Sequence, residues 1–579
     1  MPLHHPSLTT ARPWRYIPSV WDALIFALVI GAIALVLFGG HETLQPLAES
    51  QKTQISLDPS HLPYYALRTT LRMLGGIVLS FLFTLIYGSL AQKSRRAEMV
   101  LIPVLDILQS IPVLSFATFT LVFFLNLFPG SLLGAELAAV FQIFTAQAWN
   151  MTFSFYQSLK TVPKDLSDVS DSLRLGGWRR FWTLELPFAA PGLIWNAMMS
   201  MSGAWFFVVL SEVIDVGAIH ITLPGIGAYV SAAIAHKDLG AIGWAMLTML
   251  GVILLYDQLL FRPLVAWSTK FRVELVATAG EEHESWLLDF FQRARLAQRL
   301  FRPLGAVFRW FVELRIGAPV RPSRQVIEAW DSPITDMAWF GLIAVVSLWV
   351  GWQAFAYVTA TLGLNDLVTI VGLGGLTLLR VLVLIVLASL FWVPIGIWIG
   401  LRPKWASAAQ PVAQFLAAFP ADLFYPIVVT LIVYYHVNPD IFLSPLMILG
   451  TQWYILFNVI AGASAMPSDL LEAASSFRVR GLNWWLKVAL PGVFPYFVTG
   501  AITASGGAWN ASLAAEVAQW GETTLHAHGL GAYIKDATTS GDFHRGLLGV
   551  AVMSLFVVLF NRLFWRPLFE FSARRLALN

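Results

Sequence analysis

A polar stretch, Asp165–Pro187 (DLSDVSDSLRLGGWRRFWTLELP), returns 304 residues later as Asp469–Pro491 (DLLEAASSFRVRGLNWWLKVALP). Each copy stands between long apolar runs, so any fold must place the same polar helix-turn-helix twice at the edge of an apolar body. Two such surfaces are the pattern of a docking element. The body itself is set by composition: 57% of the 579 residues are hydrophobic and 12% charged, with mean hydropathy +0.68, against about 25% charged in soluble domains. Apolar runs such as 23–40, 73–91, 337–358 and 381–401 have the length, about 20 residues, that a helix needs to cross a bilayer core. The ten-residue alternations of a membrane β-barrel are absent. The expectation is therefore an all-α polytopic membrane protein.

Six spans per half are expected: 21–40, 73–91, 97–127, 132–158, 188–214 and 239–261, then 337–358, 376–401, 408–435, 441–465, 492–519 and 546–565. Basic residues concentrate after the second, fourth and sixth span of each half: Lys93, Arg95, Arg96, Lys160, Lys164, Arg174, Arg179, Arg180, Arg262, then Arg402, Lys404, Arg478, Arg480, Lys487 and Arg566. The positive-inside rule then puts both duplicated segments and both chain ends on the cytoplasmic side. Arg12 and Arg15 precede a first apolar run without a small-residue cleavage site, so that run is expected to stay as a span. The 24 Trp residues cluster near span ends, as an interfacial belt requires. There is no Cys, which removes disulfides and thiolate metal sites, and scattered basic residues at helix ends speak against a nucleic-acid surface.

The repeat extends beyond the polar segment. At the same offset Trp205 pairs with Trp509, Glu212 with Glu516, Gly217 with Gly521, GIGAY at 225–229 with GLGAY at 529–533, and Arg262 with Arg566. Upstream the offset is 308, pairing Arg72 with Arg380, Pro103 with Pro411 and Pro112 with Pro420, so the first half is four residues longer between Pro112 and Pro163. Equal orientation of the halves makes this a parallel repeat about the membrane normal. The expected division is an N-terminal segment with its span (1–64), repeat one (65–267), a charged cytoplasmic linker (268–336), the first span of the second half (337–375) and repeat two (376–579). In the linker, Glu281, Glu282, Glu284 and Asp289 precede Arg293, Arg295, Arg299, Arg302 and Arg309 along an amphipathic pattern, expected to serve as a spacer that rests on the membrane surface.

Within each polar segment, Pro163 and Pro467 are expected in the first turn of a short helix. The acids Asp165, Asp168 and Asp171, or Asp469 and Glu472, follow near its positive end. Gly177 and Gly481 are expected to end that helix in a left-handed residue after the basic Arg174 and Arg478. A second helix then runs to Leu186-Pro187 and Leu490-Pro491.

At this point the chain resembles the permease subunits of bacterial ATP-binding-cassette importers, the MetI-like inner membrane components. Their cytoplasmic loop carries Glu-Ala-Ala, a later Gly and a Leu-Pro, and the second copy reads Glu472-Ala473-Ala474, Gly481 and Leu490-Pro491. The first copy keeps an acid, Asp168, with Gly177 and Leu186-Pro187, but has Val169 and Ser170 in place of the two alanines. The resemblance covers roughly 65–264 and 376–568. It implies two fused six-helix MetI-like repeats of about twelve transmembrane helices in an inner membrane. Each segment would be a coupling helix lodged in one of two copies of an ATPase subunit, or in one member of a heterodimer. Asp168, Arg174, Gly177, Pro187, Glu472, Ala473, Ala474, Arg478, Gly481 and Pro491 are the coupling candidates, and the loss of Glu-Ala-Ala in the first copy predicts unequal coupling. A periplasmic or lipid-anchored substrate-binding protein is the further implied partner. Leu71-Arg72-Met73, the Pro103 to Pro112 spacing and the GIGAY stretch look like the nitrate, taurine and aliphatic sulfonate branch. Fused permeases also occur in the ferric-iron branch.

For the cargo path, Trp205 and Trp509 follow Gly-Ala pairs, and Glu212 and Glu516 lie seven residues further. Small residues beside a bulky ring permit close helix approach or a gate, and an acid at membrane depth marks a path or a paired structural site. Asn510 stands where the first copy has Phe206, which predicts an asymmetric path. Arg72 and Arg380 are expected to snorkel to the interface. His526, His528, His544 and Asp542 share an outer loop but are read as incidental, with no metal site and no catalytic residue. No phosphate-binding loop pattern occurs, so the chain is not itself an enzyme, and ATP and Mg belong to the partner. The rival classes are an ion-gradient-driven secondary transporter, which leaves the duplicated segment unexplained, and a membrane enzyme or scaffold.

Overall fold

The computed structural model describes residues 20–43, 46, 55–113, 117–217, 219–271, 286–287, 295–314, 333–521 and 523–575. In the first half, α1 (Val20–Thr43) leads to α2 (Leu62–Lys93), α3 (Arg95–Ser110), α4 (Ala117–Leu127), α5 (Leu132–Lys160) and the short α6 (Lys164–Ser172). A turn at Gly177–Arg180 and a π-helical turn at Phe181–Glu185 run into α7 (Leu186–Ser211). An antiparallel hairpin of β1 (Val213–Val216) and β2 (Ile219–Thr222) follows, then α8 (Ile226–Ala235) and α9 (Leu239–Tyr256). The linker contributes α10 (Arg295–Glu313). The second half holds α11 (Pro333–Thr359), α12 (Leu364–Gly400), α13 (Pro403–Ala418), α14 (Tyr425–Tyr435), α15 (Gln452–Ser464), α16 (Ser468–Ser476), α17 (Leu490–Ala515), β3 (Val517–Trp520), β4 (Thr523–His526), α18 (Leu530–Ser540) and α19 (Phe543–Phe560). Among the described residues the fold is helical apart from the two hairpins and an isolated bridge between Pro46 and Ser131. The linker acids Glu281, Glu282, Glu284 and Asp289, and Arg293, lie outside the described residues.

Twelve spans do not emerge. Among the described residues, eight helices are long and apolar enough to cross a bilayer, or nine if Pro439–Leu449 and Gln452–Ser464, bent by 44°, form one span. The expected spans 97–127 and 408–435 each break in two, and the reason is local. A residue before proline is pushed out of the helical region. Ile111 before Pro112 (ψ 127°) and Phe419 before Pro420 (ψ 128°) are both extended, ending α3 and α13. The second spans are longer than expected, since α2 begins at Leu62 and α12 at Leu364.

The four-residue length difference now has a narrower place. The offset of 308 still holds at the ends of α4 and α14, Leu127 and Tyr435, while 304 already relates Glu136 to Asp440. Where the first half runs through α5 without a break, the second half has short turns at Pro439–Phe442 and Leu446–Leu449 before α15 begins. Helices elsewhere approach closely through small residues. A Cβ on Gly88 would come 2.7 Å from the Phe155 ring, and one on the equivalent Gly396 would come 2.8 Å from Val459, so α2 on α5 and α12 on α15 need no side chain at that crossing.

The halves clasp each other reciprocally at the hairpin end. Gly217 N–H donates to Thr538 O (3.2 Å) and Gly521 N–H donates to Ile234 O (2.9 Å). These two bonds are equivalent by the 304 offset, as a self-complementary two-fold interface requires. Gly217 (φ +57°) and Gly521 (φ +60°) form the hairpin tips.

Candidate coupling segments and central cavity

In both polar segments the first helix ends in the same backbone motif. Leu175 N–H donates to Ser170 O and Arg174 N–H to Asp171 O; in the second copy Val479 N–H donates to Ala474 O and Arg478 N–H to Ser475 O. This is a Schellman turn with an apolar residue closing it. The left-handed residues are Arg174 (φ +49°) and Arg478 (φ +52°), not the expected glycines, because each helix closes three residues before the Gly. Gly481, at φ +61° and ψ −137°, instead caps the next turn, whereas Gly177 is the ordinary first residue of the turn Gly177–Arg180. Pro163 and Pro467 are likewise one position earlier than expected, as extended caps rather than first-turn residues. Asp168, Arg174, Glu472, Ala473, Arg478 and Gly481 are exposed; Ala474 and its counterpart Ser170 are buried beneath them. Pro187 and Pro491 open α7 and α17, where their missing N–H is harmless.

The surroundings of the two segments differ. In the first, Arg180 pairs with Asp171 (3.0 Å) and Glu185 (3.2 Å) and donates to Ser167 Oγ (2.7 Å), while Lys93 approaches Glu185 at 3.6 Å. The linker helix α10 covers its flank: Trp178 Nε1–H donates to Phe311 O (2.8 Å), and Trp182 meets Phe308 and Phe311 edge-on. At the equivalent positions the second segment has Trp484, Ser475, Ala489, Leu482 and Leu486. None of those pairings exists there, and Phe477 and Leu482 are 83% and 73% exposed.

Between the halves lies a cavity of about 610 Å³, and among the described residues no Asp, Glu, Lys or Arg lines it. The two walls come from α7 and α17 and are chemically unlike. Trp195 faces from one where Thr499 stands on the other, and Phe206 where Asn510 stands. Trp509 lines the cavity and Trp205 does not, although both are buried; Trp205 packs edge-on against Tyr256 at 5.4 Å. Asn510 is a strut as well as a wall: its Oδ1 accepts the Val113 N–H (2.7 Å) across the interface between halves, and its Nδ2 donates to Gly506 O (3.0 Å).

Residues 76–262 and 392–565 each match the family of binding-protein-dependent transport system inner membrane components, together more than half of the chain. The chain belongs to this family. It is 29% identical over 187 residues to the nitrate import permease protein NrtB of Leptolyngbya laminosa, covering 32% of this chain and 63% of that protein. It is 27% identical over 176 residues to the bicarbonate transport system permease protein CmpB of Synechocystis, covering 30% and 60%. Over 223 residues it is 24% identical to the glycine betaine/proline betaine transport system permease protein ProW of Escherichia coli, covering 37% and 55%. The matched stretch spans less than two thirds of each relative's length.

In this inner membrane component, Glu212 and Glu516 lie outside the cavity lining and hold each half together. Glu212 accepts Thr69 Oγ1 (2.6 Å), Arg72 Nη1 (2.7 Å) and the Gly227 N–H (2.6 Å). Glu516 accepts Thr377 Oγ1 (2.8 Å), Arg380 Nη1 (3.2 Å) and the Ala532 N–H (3.0 Å). The two threonines in turn accept the N–H of Ile226 and Leu530. Each carboxylate thus serves the free donors at the start of α8 or α18, which have no partner within their own helix. A Cβ on Gly225 or Gly529 would come 2.2 Å from that carboxylate, so glycine there permits the approach. Arg72 does not snorkel: at 3% exposure it also binds Glu136, which pairs with Arg68 as well. Arg380 reaches Asp440, the counterpart of Glu136, at 3.0 Å, and His528 joins that carboxylate. The other histidines have separate partners, His526 approaching Asp536 and His544 stacking on Tyr357.

Sequence reasoning missed Thr69, Thr377, Glu136, Asp440 and the Trp178 and Trp182 contacts. The signal for the first four was present, because they obey the two constant offsets and are polar inside or beside apolar runs.

Proposed function

We propose that this chain is the translocation subunit of an ATP-driven importer, with both halves of the transmembrane path in one polypeptide. The observation that carries this reading is the duplicated segment: two exposed helices, closed by identical turns, each continuing through a π-helical turn into a long helix that walls the cavity. A push on Glu472 or Asp168 is therefore a push on α17 or α7. Each segment docks into one ATPase subunit on the cytoplasmic side, and closure of the ATPase pair rocks the halves about their two-fold clasp. ATP and Mg reside in that partner, and a substrate-binding protein delivers cargo to the hairpin end.

The cargo is a small anion or polar organic solute of the nitrate, bicarbonate or sulfonate kind. Amides and hydroxyls such as Asn150, Asn196, Ser200 and Thr503 line the cavity without a fixed charge. Neutral donors hold an ion weakly enough to release it, as a transport site requires. The test is ATP-dependent uptake in vesicles holding this chain, its ATPase and its binding protein. Glu472→Arg or Gly481→Pro should abolish uptake while membrane insertion survives; uptake by the chain alone, driven by an ion gradient, overturns the reading.

A further inference from the structure

Helix α10 is tied to the first coupling segment on one side and open on the other. Phe308 and Phe311 hold Trp178 and Trp182, and the helix also lies against α1. Its remaining surface is both basic and apolar. Arg302 and Arg309, seven residues and so two turns apart, are exposed on one face. Val307 and Trp310 are 59% and 64% exposed. Residues 295–313 hold four arginines and one acid, Glu313.

Water is a poor neighbour for an exposed Trp and Val beside a half-exposed Phe, and Arg302 and Arg309 add positive charge to that surface. Apolar side chains flanked by basic ones at a span boundary match the anionic headgroup layer of a bilayer, where Trp and Arg are each favoured. The outward side of α1, with exposed Ile30 and Ile33, continues that lipid-facing surface.

We propose that the exposed face of α10 docks on anionic headgroups of the cytoplasmic leaflet, and that Trp178 and Trp182 transmit its position to the first coupling segment alone. The second segment has Leu482 and Leu486 at those positions and receives no such input. The inference rests on the cytoplasmic placement of the segments given under the proposed function.

The chain has no Cys, so a single cysteine can report on α10. Trp310→Cys in the full-length chain, carrying a polarity-sensitive fluorophore, is reconstituted in phosphatidylcholine vesicles with and without phosphatidylglycerol. Phosphatidylglycerol should bury the label, high salt should release it, and Arg302→Glu with Arg309→Glu should raise the water-accessible fraction by about threefold or more. Equal burial in both lipids, or burial that survives the charge reversal, overturns the proposal; so does burial that appears only when the ATPase is added, which would give the surface to that protein. This readout needs neither ATPase nor cargo, so it fails or succeeds apart from the transport reading. Transmission is read with the ATPase present: phosphatidylglycerol should alter ATP hydrolysis with the unsubstituted chain and lose that effect in Phe311→Ala, which keeps Trp178 intact. An unchanged lipid response in Phe311→Ala overturns the transmission.

Discussion

In the first candidate coupling segment Arg180 pairs with Asp171 and Glu185 and the linker helix packs on Trp178 and Trp182, whereas the second has Trp484, Ser475, Ala489, Leu482 and Leu486 at those positions, with Leu482 and Leu486 exposed. Their backbones nonetheless close through the same pair of hydrogen bonds around Arg174 and Arg478. The duplicated polar segment thus has one main-chain shape in both copies and different side-chain contacts in each. The segment without Glu-Ala-Ala has internal ion pairs and a packed linker helix; the one with it has leucines at the positions of Trp178 and Trp182. The same contrast reaches the buried locks. Arg72 serves two carboxylates inside the first half with Arg68 beside it, while Arg380 faces an Asp440 that is one third exposed.

The locks carry the largest expected effect. Arg72→Leu leaves Glu136 with Arg68 alone and Glu212 buried with only neutral donors, and should cost about 3–5 kcal/mol. Arg380→Leu should cost less, because water and His528 still reach Asp440. Thermal unfolding in detergent reads both, and equal shifts would erase this contrast between the halves. Next come the glycines of the segments. Gly481→Ala forces a side chain into a left-handed, strained conformation at about 1–3 kcal/mol and should slow ATP-dependent uptake, while Gly177→Ala should leave uptake unchanged; a matching loss in both would mean that the two turns act alike.

Removing the cover is expected to matter less. Trp178→Ala deletes an indole donor and an aromatic contact worth about 0.5–1.5 kcal/mol, and limited proteolysis should then cut near α10 sooner. Leu482→Ala should change nothing in that assay, and an equal response would show that the cover is not specific to one segment. The smallest effect should be symmetric. Arg174→Gly and Arg478→Gly each relieve a left-handed non-glycine residue, gaining about 1 kcal/mol, read as slower amide hydrogen exchange in the helix before the turn. A gain at only one site would show that the shared backbone is not equally strained.

Much of this chain follows from its order of residues. Apolar runs near bilayer length, basic residues at alternate loops and constant offsets between Trp205 and Trp509 or Gly217 and Gly521 determine a helical, duplicated membrane protein with two exposed polar segments. Such features are local or periodic, and they survive without knowledge of any partner. The breaks at Ile111 and Phe419 fall before Pro112 and Pro420, but α3 and α13 run on through Pro103 and Pro411, so the prolines alone did not choose where each stretch breaks. Tertiary structure alone decided which buried charges meet. Glu212 finds Arg72 140 residues away, and nothing in either helix pattern names the other, since a burial pattern orients a face but does not choose its neighbour. It also decided that Trp509 and not Trp205 lines the cavity, and that the linker helix α10 packs on the first segment. Among the described residues α10 packs on Trp178 and Trp182 of the first segment, whose counterparts are Leu482 and Leu486, so packing breaks the symmetry written in the sequence.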